Sequence, residues 1–210
     1  MSGSAAEERI RGKAEALLRL RYPEARIIHE LVLEQGGVRI DLAAVTADRI
    51  IAVEIKSEKD VLARLSRQLA RAVEIAGDVW LCIAEKHVAK LEAARGWSDL
   101  SGVERDAADA LDRALSRCAI FVERGGPDGE LMLHWSSLGA RNTPFPDPRA
   151  VFDLLWAAEM RAATRLDTTR DQMTRRAVEA LSGGEIRRIA CAALRRRPFA
   201  RADAPAERAA

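Results

Sequence analysis

The chain has 210 residues, 48% of them apolar and 31% charged, a composition that suits one well-buried domain with an appendage, or two small ones. Aromatic residues make up only 4%, so the core must be mostly aliphatic. The formal net charge is +2, but residues 141–210 carry 14 arginines against 9 acids, while residues 1–140 carry 20 basic and 23 acidic side chains. A basic C-terminal part beside an acidic part suits a protein that meets a polyanion, although charge alone reads more simply as solvated helices. Cys82, Cys118 and Cys191 are odd in number, far apart and set in apolar runs. They argue against a disulfide framework or a zinc knuckle and for a reducing, cytoplasmic setting. The opening MSGSAAEERIRGK does not resemble a signal peptide, and no apolar run approaches membrane-spanning length, so no membrane partner is expected.

In chain order, residues 5–21 read as a helix with Ile10, Ala14, Leu17 and Leu18 on one stripe, ended by Tyr22-Pro23. RIIHELVL (26–33) is a β-branched strand, followed by a hairpin loop at Glu34–Gly37. VRIDLAAV and IIAVEIK are two further strands around the turn Thr46-Ala47-Asp48-Arg49. Ser57 with Asp60 three residues on offers a helix N-cap. The helix it would start runs to about Ala76, burying Leu62, Leu65, Leu69, Val73 and Ala76, with Arg64, Arg67 and Arg71 on its far side. VWLCIA (79–84) suits a strand buried on both faces, so strand, helix and strand imply a parallel crossover into one mixed sheet. HVAKLEAAR and RDAADALDRALSR read as helices around an irregular WSDLSG, and CAIFVER and ELMLHWS as a hairpin about Gly125–Gly129. RNTPFPDPR (141–149) reads as a linker, with helices in VFDLLWAAEMRAATRL, DQMTRRAVEAL and EIRRIACAALRRR beyond it. The expected organisation is a domain over 1–140, a helical extension over 141–197 and a disordered tail over 198–210.

The chemistry concentrates on two neighbouring strands. A hairpin symmetric about its turn sets Val45 opposite Ile50 and Asp41 opposite Glu54, with Lys56 two residues further on the same face. The same reasoning on the preceding hairpin sets Leu33 opposite Val38 and Glu30 opposite Asp41, giving a row of acids across three strands. Two carboxylates at cross-strand distance can share a hard cation. A Mg²⁺ ion so held keeps several waters, lowers the pKa of one of them and can bind a phosphate oxygen. Asp41, Glu54 and the Ile55 carbonyl would supply its oxygens, and Lys56 a cation to orient the water or offset transition-state charge. The bland reading is a surface salt bridge between Lys56 and an acid on a solvent-facing strand.

Asp41 followed by Glu54-Ile55-Lys56 at the end of an apolar strand resembles the metal site of the PD-(D/E)xK nuclease superfamily. The element order of residues 5–84 (helix, three antiparallel strands, helix, strand) is similar to that superfamily's α-β-β-β-α-β core, the restriction-endonuclease-like α/β fold. Within it, RIDLAAV and VEIKSEKDVLARLSRQ resemble small stand-alone bacterial members. The resemblance implies Asp41 and Glu54 as metal ligands, Lys56 as the catalytic lysine, and Gln68 as a match to a glutamine near the site in several members. Glu30 is a further acid of the row, and Gln68, at the edge of its helix's apolar stripe, could face either the site or solvent. Some members take another acid from the first helix, where Glu7, Glu8 and Glu15 compete. The proline of the superfamily's name is absent, since Ile40 precedes Asp41.

The expected activity is therefore Mg²⁺-dependent phosphodiester hydrolysis, with Mn²⁺ as a substitute and DNA favoured over RNA as substrate. Two other classes stay open: a catalytically idle nuclease-fold module that binds nucleic acid or regulates, and a structural α/β protein whose C-terminal helices form a homodimer. Glu185-Ile186-Arg187 is a near copy of Glu-x-Lys in a helical context and carries nothing. Leu181–Glu185 resembles the signature peptide of ABC transporters, but no phosphate-binding loop accompanies it, and it reads as a helix stop and restart. His29, His87 and His134 have no ligand spacing, and Trp80, Trp97, Trp135 and Trp156 are too dispersed for a stacking platform.

Overall fold

In the computed structural model, which describes residues 4–33, 37–93, 109, 111–134 and 145–206, six strands form one mixed sheet in sequence order. Helix α1 (Ala5–Arg21) precedes β1 (Arg26–Val32), β2 (Arg39–Val45) and β3 (Ile50–Lys56). Then come α2 (Leu65–Ile75), β4 (Asp78–Ala84), α3 (Val88–Ala93), β5 (Cys118–Arg124) and β6 (Glu130–Leu133). Strands β1, β2 and β3 pair antiparallel, β3, β4 and β5 parallel, and β5 with β6 antiparallel. The element order expected for residues 5–84 is the one observed. Part of the expected 34–37 loop, the WSDLSG segment, Trp97, Trp135 and residues 141–144 of the expected linker lie outside the described residues, and of the second expected helix in that region residues 111–115 are helical.

Alternation along the strands sorts the core into two layers. Ile10, Ala14 and Leu18 of α1 pack on Ile27, Leu42, Ala44, Ile51, Val53 and Ile55. On the other face, Leu65, Leu69 and Ala72 of α2 pack on Ile28, Ala43, Val45, Ile50 and Ala52. Four C-terminal helices, α4 (Pro148–Phe152), α5 (Ala157–Thr164), α6 (Arg170–Ala180) and α7 (Gly183–Arg196), share a small core of their own that includes Phe152, Met160, Met173 and Ile186. They join the α2 layer through Ala150, Leu154, Cys191 and Leu194.

Three expectations fail, each because a tertiary partner takes a backbone group that local reasoning left free. The helix expected from Ser57 begins at Leu65. Ser57 N–H and Oγ both bond Asp60 Oδ2 (2.7 and 2.6 Å), but the Ser57 carbonyl faces His87 Nε2 at 2.8 Å and the Glu58 carbonyl accepts from Lys86, so the pair closes a turn instead of starting a helix. The single helix expected over 151–166 is two. Arg197 takes the Leu154 carbonyl, Arg170 takes those of Asp153 and Leu155, and Glu159 caps the Trp156 N–H at 2.6 Å, which starts α5 afresh. The tail from Pro198 is ordered as far as residue 206 is described. Ala202 bridges Ile28, the Asp203 N–H donates to the Ile27 carbonyl, and Asp203 Oδ2 accepts from Ile27 N–H, so the segment covers the exposed edge of β1. Arg26, buried beneath it, donates to the carbonyls of Leu194, Arg197 and Asp203.

Candidate active site

The two hairpin registers are those expected: Val45 pairs with Ile50 and Leu42 with Val53, and Arg26 pairs with Val45 and Leu31 with Ile40. Extended by one step, these registers put Glu30 level with Asp41 and Asp41 level with Glu54, but neither pair is bridged: the β1–β2 ladder skips the first, and the β2–β3 ladder ends before the second. Glu30 has φ 59°, a left-handed conformation unfavourable for a side chain with a Cβ. Its effect is a reset of alternation: Ile28 and Leu31, three residues apart, both enter the α2 layer, as do Ile40 and Ala43 on the partner strand. Because both strands reset together, the register survives while the acids between them leave the regular pleat.

The β2–β3 ladder ends at Leu42 and Val53, and the strands part beyond it. Asp41 fills the fork. Its Oδ2 accepts the Ile55 N–H at 2.8 Å, replacing the lost strand partner, and its own carbonyl accepts Arg11 Nη1 at 2.7 Å. Arg11, only 2% exposed on α1, also reaches Glu7 Oε1 (2.5 Å), Glu30 Oε1 (3.4 Å) and Asp41 Oδ1 (3.4 Å). One oxygen each from Glu7, Glu30 and Asp41 lie within 4.8 Å of one another, with Arg11 bound to all three. Glu30 Oε2 is further held by Arg39 at 2.6 Å.

Glu54, Lys56 and Gln68 form a second group. Alternation sends Glu54 and Lys56 to the same face as Ile50 and Ala52, towards α2. Lys56 Nζ donates to Glu54 Oε1 at 2.6 Å and to Gln68 Oε1 at 3.2 Å, so Gln68 faces the site rather than solvent. Glu54 is 2% exposed, and its Oε2 is buried without a hydrogen-bond partner. Burial, and then the charge of Asp41, push its carboxyl up to about 8. Burial raises Asp41 as well, opposed by the Ile55 N–H and by Arg11. Burial works against the charge on Arg11, but the carboxylates of Glu7, Asp41 and Glu30 outweigh it and hold its pKa above the ordinary value.

The expected single cluster is therefore two, joined through the Asp41–Ile55 link, and the bland surface salt bridge does not describe a Lys56–Glu54 pair this buried. Ile55, expected to offer a carbonyl, engages Asp41 through its N–H. Of the three candidate acids on α1, Glu7 is the one that joins Glu30 and Asp41. Arg11 was not foreseen, although a signal existed: residues 7, 11, 14 and 18 recur at helical spacing, which puts a Glu–Arg pair on the buried stripe. Among the described residues no helix is long and apolar enough to cross a membrane.

The chain is thus an α/β protein with a mixed sheet and a buried acid–lysine pair at the carboxyl end of a central strand. The model of one family, described as "Bacteriophage P4 protein cII", matches residues 8–94, the stretch that contains every residue of both clusters except Glu7. No curated protein matches. A solved structure, described as "SPO1766 protein of unknown function from Silicibacter pomeroyi", is similar at 13% identity with a TM-score of 0.39, covering 63% of this chain and 71% of its own.

Proposed function

We propose that the protein is a metal-dependent nuclease that hydrolyses phosphodiester bonds, with DNA favoured over RNA. One observation carries the reading: Glu54 is almost wholly buried, gives one oxygen to Lys56 and has no partner for the other. An orphaned, desolvated carboxylate oxygen beside a second acid is costly unless a cation completes it. In this reading a hard divalent ion, Mg²⁺ or Mn²⁺, would be held by oxygen donors of Asp41 and Glu54 with the Ile55 carbonyl, and Glu30 and Glu7 stand behind Asp41. When bound, such an ion supplies Lewis acidity towards a phosphate oxygen and acidifies a water. The chain's own part is positional. Gln68 and Glu54 fix the Lys56 ammonium, the Ile55 N–H fixes Asp41, and Lys56 is placed to orient the attacking water or to balance charge on the phosphorus oxygens.

A second reading, a nuclease-like fold that binds nucleic acid without turnover, is favoured by Arg11, which already gives the Glu7–Glu30–Asp41 group a cationic partner. Plasmid and oligonucleotide incubated with Mg²⁺ or Mn²⁺ separate the two. The nuclease reading expects cleavage that falls at least a hundredfold in Lys56→Ala and Asp41→Asn while the circular dichroism spectrum is retained. Undiminished cleavage in either variant removes this site, and salt-sensitive binding without turnover in the unmodified protein favours the second reading.

A further inference from the structure

One turn along α2 from Gln68, Arg71 borders a cleft of about 400 Å³ that no part of the metal site uses. Its walls come from four separate elements: Leu33 at the end of β1, Arg71 on α2, Arg149 on α4, and Arg170 and Thr174 on α6. Two of these walls lie close, along the chain, to candidate-site residues. Arg71 lies three residues from Gln68, which touches Lys56, and Leu33 lies three residues from Glu30.

The donors in the cleft are unequally committed. Arg170 is fixed as a wall, giving Nη1 to the Leu155 carbonyl (3.0 Å) and Nη2 to that of Asp153 (2.8 Å). Arg71 gives Nη1 to Glu74 at 2.7 Å, but its Nε is buried without a partner. Arg149 is exposed, and its guanidinium has no hydrogen bond or ion pair among the described residues. Two acids also line the cleft, and each is engaged: Asp153 Oδ1 accepts from Thr174 at 2.9 Å, and Asp171 Oδ2 pairs with Arg175 at 2.8 Å. What remains is the uncommitted guanidinium of Arg149, with Arg71, held through Nη1 by Glu74, in the same lining, around a space large enough for a tetrahedral oxyanion, a group that arginine recognises well.

We infer that this cleft is a phosphate subsite that takes a backbone phosphate of a nucleic-acid strand whose scissile phosphodiester, a few nucleotides away, reaches Lys56. The inference rests on the nuclease reading of that lysine and gives the C-terminal helices a task, since Arg149 and Arg170 both belong to them. A nucleic-acid strand carries one charge about every 3.4 Å along its axis, so a strand bound at Lys56 would offer Arg71 and Arg149 a phosphate a few nucleotides away.

The test uses the full chain in EDTA, where turnover does not intrude, and measures binding of fluorescent single- and double-stranded oligonucleotides across a salt series. Arg149→Ala and Arg71→Ala should each weaken binding and lower the slope of log affinity against log salt by about 1. Arg117→Ala, an exposed arginine just before the start of β5, at the opposite end of the parallel strands from Lys56, should leave the slope unchanged. Inorganic phosphate should compete with oligonucleotide for the unmodified protein and less so for Arg149→Ala. Slopes unchanged in both cleft variants, or no oligonucleotide binding at all, overturn the inference. Phosphate protection without oligonucleotide binding reassigns the cleft to a small phosphate and also overturns it. Arg149-dependent binding by a protein that never cleaves sinks the nuclease reading alone, and cleavage with Arg149-independent binding sinks the subsite alone.

Discussion

Asp41 gives the Ile55 N–H the acceptor that β2 withdraws when the two strands part, at 2.8 Å, and so has a structural duty as well as a place in the candidate site. The backbone carbonyl of the same residue, orphaned by the same fork, is taken by Arg11. Removing Asp41 should therefore do more than remove a metal ligand. Asp41→Ala leaves the Ile55 N–H and part of Arg11 unpaired and should lower stability by about 1–3 kcal/mol, read by urea unfolding. Asp41→Asn, which keeps an acceptor oxygen, should lose much less. Equal losses in the two would remove the backbone role.

Arg11 supplies a buried cation to Glu7, Glu30 and Asp41, and more distantly to Glu8. Arg11→Met should cost about 3–5 kcal/mol, because Glu7, Glu30 and Asp41 are left uncompensated, and Arg11→Lys should recover part of it. If the space is one a divalent ion can enter, Mn²⁺ should raise the thermal midpoint of Arg11→Met more than that of the unmodified protein. A midpoint shift no larger in the variant would mean that the three acids serve the guanidinium alone.

The Glu54 carboxyl, pushed up to about 8 by burial and by Asp41, gives a pH dependence of definite sign. Between an unfolded value of about 4.5 and the folded value of about 8, the folded chain holds a proton that the unfolded chain has lost. Stability contributed by this group is then full at low pH and is lost as pH rises through that window. In EDTA the unmodified protein should lose stability from pH 5 to 8 relative to Glu54→Gln, measured by thermal unfolding of both. Adding Mg²⁺ or Mn²⁺ should shrink the difference, because a bound cation favours the charged carboxylate. Parallel pH profiles in EDTA would show that Glu54 keeps an ordinary titration.

Asp203 ties the C-terminal segment to the sheet through the Ile27 N–H (2.9 Å) and through Arg19 at 2.8 Å. Asp203→Ala should cost about 1–2 kcal/mol and speed hydrogen exchange at Ile27 and His29, whose N–H groups this segment satisfies. Removal of residues 198–210 should do the same and expose the β1 edge, with concentration-dependent association as the readout. Unchanged exchange at Ile27 would rule out the clasp.

Much of this was legible in the sequence, for reasons that are local. Two-residue alternation and the turns expected at 46–49 and 34–37 predict both registers, which the strand pairings match, so Glu30, Asp41 and Glu54 fall at one level from the sequence alone. The helix–strand order of residues 5–84 follows from periodicity of the same short range. What the row does in space was decided elsewhere. The left-handed backbone of Glu30 and the parting of β2 from β3 turn Asp41 and Glu30 towards α1, while Glu54 and Lys56 stay towards α2. The choice of Glu7 over Glu8 and Glu15 depends on the rotation of α1 about its axis, which the packing of Ile10, Ala14 and Leu18 fixes. The truncated start of α2, the break at Trp156 and the ordered tail share one cause: side chains far off in sequence capture backbone groups that local pattern assigns to a helix or leaves to water. Pattern along the chain set which residues could meet, and the competition for buried hydrogen-bonding groups, a property of the packed whole, set which of them do.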